Sequence, residues 1–196
     1  MKNWVKFSLS LGMLLLAVVL TVVNEWSLFN RLLLVAMMFS FLGDLFMMNF
    51  LNMRKFINFP LTLLGMVAFG LAHFVYSEAF LLETVSVTGL NMYYILGGIL
   101  FLIMLIVSYV VFRLVYKKEQ KVIFLALVPY TLVVGYNMVI ITGFSFSTGI
   151  FLPFVGIILF IISDILIVFR ETTKLKKLTK CIWLCYVIGQ TLMLCS

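Results

Sequence analysis

Apolar residues run in long blocks along this chain, and polar positions interrupt them at intervals close to one membrane thickness. A helix needs about 20 residues to cross the roughly 30 Å hydrocarbon layer. Seven blocks approach that length, over about 4–23, 29–50, 59–82, 92–116, 122–141, 148–169 and 180–194. The connections are short and leave no room for a soluble domain. The pattern therefore predicts an all-α polytopic transmembrane helix bundle of about seven spans, a single domain over residues 1–196. Lys2 and Lys6 ahead of the first block resemble the start of a secretion signal. The block is too long for one, however, and no small-residue cleavage site precedes Asn24 and Glu25, so it reads as a helix.

Composition agrees: 65% of residues are hydrophobic and 11% charged, against an apolar share of about half in soluble domains. The net charge of +7 would suit a nucleic-acid partner if it were clustered, but it is spread over alternate loops. Lys2 and Lys6, Arg54 and Lys55, Arg113 with Lys117, Lys118 and Lys121, and Arg170 with Lys174, Lys176, Lys177 and Lys180 all fall on one side. The other side holds Arg31 together with Glu25, Glu78 and Glu83. Basic residues concentrate on the cytoplasmic face, so the expected topology is N-terminus in and C-terminus out. The basic excess then sets orientation and contacts anionic membrane lipids, with no nucleic acid as partner. Richness in Lys, Ile, Phe and Asn points to an AT-rich bacterial genome and hence to the bacterial cytoplasmic (inner) membrane.

Two residues stand where they are expensive. Asp44 and Asp164 each lie inside an apolar block, and a carboxylate at the bilayer centre costs about 2.5–3.5 kcal/mol on insertion scales, which makes each a functional candidate. Asp44 precedes Arg54 by ten residues and Asp164 precedes Arg170 by six, so both fall in the cytoplasmic half of helices running the same way, where they could meet. Like charges in a poorly solvated site resist joint ionisation, and such a pair supplies an acid and a base. The structural alternative makes each a glue residue bonded to a neighbour such as Ser40 or Ser163. Interhelical hydrogen bonds in membranes average only about 0.6 kcal/mol, a weak return for a buried charge where Ser or Asn would serve.

The sole histidine, His73, shares one helix face with Gly65, Phe69 and Tyr76, amid small residues that allow close helix approach. One His with two Asp is a poor metal set, so neither a metal nor a cofactor is expected, and His73 reads as a packing or orienting residue. Tyr186 and Gln190 stand one turn apart on the last block, and Tyr130, Tyr136 and Asn137 mark the fifth. Together these suggest a polar-lined cavity open enough for a lipid-sized ligand. Cys181, Cys185 and Cys195 all sit on the last block and read as packing residues.

Several ordered stretches resemble the YhhN family of membrane proteins, which includes lysoplasmalogenases. They are Phe39-Ser40-x-x-Gly43-Asp44, the run from Gly65 through Ala68, Phe69, Ala72 and His73 to Tyr76, Gly156-x-x-x-Phe160-x-x-Ser163-Asp164, a looser echo at Pro129-Tyr130, and the closing Tyr186-x-x-x-Gln190. Family members usually have eight helices, and their second commonly opens on Lys-Pro, replaced here by Lys6-Phe7. The resemblance thus implies that this chain lacks the family's first helix. It implies as well a lysophospholipid substrate whose vinyl ether bond is cleaved to a fatty aldehyde and a glycerophosphoethanolamine or glycerophosphocholine. That chemistry protonates the alkene carbon, passes through an oxocarbenium ion and ends in water addition, so it uses one acid and one carboxylate, as glycosidases do. Asp44 and Asp164 would be that pair, with Ser40, His73, Tyr76, Tyr130, Ser163, Tyr186 and Gln190 holding the polar end of the substrate or the water.

Other classes fit less well. A proton-coupled transporter or a lipid-binding membrane protein could use the same aspartates, but the blocks do not divide into inverted halves with broken segments. An intramembrane aspartyl protease would need Gly-x-Gly-Asp, and Phe41 occupies the first glycine position. One histidine rules out a multi-histidine metal site, and no Gly-x-Ser-x-Gly elbow supports a serine hydrolase.

Overall fold

A computed structural model describes residues 2–87, 93–115, 121–173 and 176–196, so the basic residues Lys117, Lys118 and Lys174, and the start of the fourth expected span at Met92, lie outside the described residues. The described residues form seven α-helices: α1 Asn3–Val23, α2 Leu28–Met47, α3 Leu61–Val87, α4 Tyr93–Val115, α5 Lys121–Thr148, α6 Leu152–Thr173 and α7 Thr179–Leu194. No strand interrupts them among the described residues. Six are long and apolar enough to cross a membrane. The seventh helix covers the expected block over 180–194 and is the shortest of the set. At 16 residues α7 is about 24 Å long, less than the hydrocarbon layer is thick.

Helix ends follow local chemistry. Ser27 caps α2 by accepting from the Asn30 backbone N–H. The same helix stops at Met47, short of the expected residue 50, because Asn49 turns left-handed at φ 49° and its side-chain oxygen accepts the Arg54 N–H. The fifth helix instead overruns its expected end at residue 141 and reaches Thr148. Thr142, Ser147 and Thr148 bond back onto the carbonyls of Met138, Gly143 and Phe144, so these polar residues satisfy themselves within the helix. Gly149, at φ 77°, supplies the break. Pro129 sits inside α5, a position that membrane helices tolerate.

Each helix packs on specific neighbours: α1 on α2 and α7, α2 on α3, α3 on α5, α5 on α6, and α6 on α7. These contacts close into a cycle of six helices, with α4 laid outside against α5 and α6. Burial follows that order, α3 being the most enclosed span and α4 the least. The helices α6 and α7 cross with their backbones close together: a Cβ on Gly156 would come within 2.8 Å of the Gly189 carbonyl oxygen. Gly43 faces the Phe69 ring and Gly65 faces Met47, bringing α2 against α3. Outward-facing Leu15, Val19, Ile95, Leu102, Ile106 and Leu125 are exposed. Such an apolar belt is unsuited to water and matched to lipid tails.

Candidate active site

Burial along α1 repeats at helical spacing: Ser10, Met13, Ala17 and Thr21 form its inward stripe. That register aims Ser10 at α2, where its hydroxyl donates to Asp44 Oδ2. The same oxygen accepts from the Tyr186 hydroxyl of α7 at 2.8 Å. Asp44 itself is 3% exposed, and its carboxyl group is held by side chains from α1 and α7.

Asp164 is fixed differently. It sits on α6 and is partly exposed, and the Tyr130 hydroxyl of α5 donates to its Oδ2 at 2.6 Å. Both aspartates, one from the second helix and one from the sixth, line a single cavity of about 40 Å³. Phe69, Phe160, Ser163, Trp183 and Tyr186 form much of its wall, with Lys6 and Arg170 beside them. The space suffices for water, which needs about 10–15 Å³. The cavity is partly open rather than sealed, and the space it encloses is smaller than the lipid-sized interior expected from the sequence. Phe69, Phe160 and Tyr186 pack edge-on against one another along its wall.

The remaining polar candidates divide by depth. Ser40 lies one turn before Asp44 on α2 and accepts from Gln190 Nε2 at 3.1 Å, while Gln190 lies one turn after Tyr186 on α7. Asp44–Tyr186 and Ser40–Gln190 are therefore two successive links between antiparallel helices. Tyr76 extends the second by donating to Gln190 Oε1 at 2.6 Å. Ser40, Tyr76 and Gln190 are fully buried and lie outside the cavity wall, where they brace α2, α3 and α7.

His73 touches neither aspartate. Its Nδ1 lies 2.8 Å from Asn137 Nδ2, and its ring packs edge-on against Phe160 at 4.3 Å. Oriented this way, the Asn137 amide nitrogen donates and His73 Nδ1 accepts, which matches a ring protonated on Nε2. Ser163 Oγ is buried without a hydrogen-bond partner although it lines the cavity, and neither Ser40 nor Ser163 holds its neighbouring aspartate. The residues that do so are Tyr186, Tyr130 and Ser10. Sequence reasoning missed Ser10, whose only signal is its place at the head of the inward stripe of α1. Among the described residues no cluster of three or more His, Cys, Asp or Glu side chains could hold a metal ion.

The arrangement brings two carboxyl groups to one partly open cavity that admits water, where one group can give up a proton and the other can take one. Comparison with known proteins returns no match among curated proteins or solved structures. Residues 4–196 match the YhhN family, essentially the whole chain including both aspartate stretches, and on that ground the chain belongs to the YhhN family.

Proposed function

We propose that the chain is a membrane-embedded lysoplasmalogenase-type hydrolase acting in a bacterial cytoplasmic membrane, with its basic helix ends on the cytoplasmic side. The observation that carries this reading is the pair Asp44 and Asp164, brought from α2 and α6 to one water-sized cavity and each held by a tyrosine from a further helix. Family membership agrees with it.

In the proposed reaction one carboxyl donates its proton to the alkene carbon of the vinyl ether, generating an oxocarbenium ion that the other carboxylate stabilises. Water adds to the cationic carbon and loses its proton to that carboxylate. The hemiacetal then collapses: its hydroxyl proton passes to the first carboxylate, its C–O bond breaks, and the departing oxygen takes the proton held by the second, which releases the glycerophospho alcohol and the fatty aldehyde and restores both carboxyl groups. Overall one vinyl ether and one water give one alcohol and one aldehyde, and no redox partner is consumed. Tyr186, Ser10 and Tyr130 fix the carboxyl groups in position, an arrangement suited to catalysis by preorganised groups.

Aldehyde release from a lysoplasmalogen by the purified protein in neutral detergent tests the reading, with an ester lysophospholipid as control. Asp44→Asn and Asp164→Asn should each lower the rate by about 10²–10⁴-fold while the protein stays folded. Full activity in both variants would remove the mechanism, and no turnover by the intact protein would favour transport or lipid binding.

A further inference from the structure

Two cations share the cavity wall with the two aspartates, and the proposed reaction gives them no part. Lys6 opens α1 one turn ahead of Ser10, whose hydroxyl reaches Asp44. Arg170 follows Asp164 by six residues on α6, a displacement of about 9 Å along the helix axis. Both therefore stand toward the same end of the bundle, beyond the carboxyl groups. Lys6 Nζ is 5.8 Å from the centroid of the Trp183 ring, a buried residue that also lines the cavity. The basic residues Arg54 and Lys55 are exposed and lie outside the cavity wall. Orientation by positive charge accounts for Arg54 and Lys55 without need of a cavity, whereas Lys6 and Arg170 place their charge at its edge.

We propose that Lys6 and Arg170 form the subsite for the phosphate of a lysophospholipid, seating the head group at the end of the bundle while the ether carbon lies between Asp44 and Asp164. This rests on the hydrolase reading above and names the part of the substrate that it left unplaced. Six bonds separate the reacting ether carbon from phosphorus in a glycerophospholipid, and at about 1.5 Å per bond they project to roughly 7 Å when extended. The backbone offsets, about 6 Å from Lys6 to Ser10 and about 9 Å from Asp164 to Arg170, bracket that span. Arginine and lysine are the side chains that bind phosphate, the former through paired N–H donors and the latter as a point charge.

Equilibrium binding of a saturated, uncleavable ether lysophospholipid tests the subsite without turnover, so its failure is distinguishable from failure of the hydrolase reading. The matched 1-alkylglycerol lacks the phosphate, and inorganic phosphate lacks the lipid. In neutral detergent the Lys6→Gln/Arg170→Gln variant should bind the ether lysophospholipid at least about tenfold more weakly than the unmodified protein and bind the alkylglycerol equally well. Arg170→Lys should recover part of the loss that Arg170→Gln causes, and Lys55→Gln should change neither affinity. Inorganic phosphate should bind at least about a hundredfold more weakly than the ether lysophospholipid.

The subsite is overturned if the double variant weakens both lipids alike, if it weakens neither, or if Lys55→Gln matches its effect. Inorganic phosphate binding as tightly as the lipid would also overturn it, since the cations would then serve a free anion.

Discussion

Tyr186 donates to Asp44 at 2.8 Å across 142 positions of sequence, and the next turn of each helix repeats the link through Gln190 and Ser40. The short α7 therefore does more than fill space: its register against α2 decides where the Asp44 carboxyl points. Tyr186→Phe removes one hydrogen bond to that carboxyl group, an interaction worth about 1.5–3 kcal/mol. Aldehyde release should fall roughly 10- to 100-fold with little change in KM, measured by initial rates.

Ser10 and Tyr186 donate to the same oxygen, Asp44 Oδ2. Their effects should not add. In a double-mutant cycle, the Ser10→Ala/Tyr186→Phe protein should differ from the sum of the single variants by at least about 0.5 kcal/mol of activation energy. Additive losses would mean that the two hydroxyls do not act through a common carboxyl.

Gly156 and Gly189 bring α6 and α7 together with backbone at contact distance. Gly156→Ala puts a methyl group within 2.8 Å of a carbonyl oxygen that cannot swing aside. The expected destabilisation is about 1–3 kcal/mol, read as a lower thermal midpoint in detergent. Gly98 has nothing within 4 Å of an added Cβ, so Gly98→Ala should leave the midpoint unchanged or raise it slightly.

Asn137 is the hydrogen-bond partner of the buried His73 ring. Asn137→Leu leaves Nδ1 of His73 unsatisfied inside the bundle and should cost about 1–3 kcal/mol of stability. Nitrogen NMR of the imidazole should show the proton on Nε2 in the unmodified protein. A ring protonated on Nδ1 would contradict the assigned bond.

Much of the architecture was legible in the sequence because it depends on local patterns. Long apolar blocks specify helices that suit a lipid solvent, and a carboxylate inside such a block is conspicuous wherever the helix ends up. Asp44 and Asp164 were identifiable as a pair on that ground, and the tertiary structure brings both to one cavity. Helix ends were less legible. Thr142 and Ser147 fall between the expected fifth and sixth blocks and Thr148 opens the sixth, yet their hydroxyls bond to their own helix and extend α5.

What the sequence by itself determined was the helical, membrane-suited architecture and the two acids; what only the tertiary structure decided was their company. Apolarity sets which segments enter lipid, but in a helix buried on several sides it does not specify the rotation that selects a partner. Small residues do that through close contacts, as at Gly156 with Gly189 and Gly43 with Phe69. With the helices packed, Ser10 and Tyr186 meet Asp44, Tyr130 meets Asp164, and His73 meets Asn137. Partners so distant along the chain carry no local periodicity by which to be recognised, because their meeting depends on how whole helices pack.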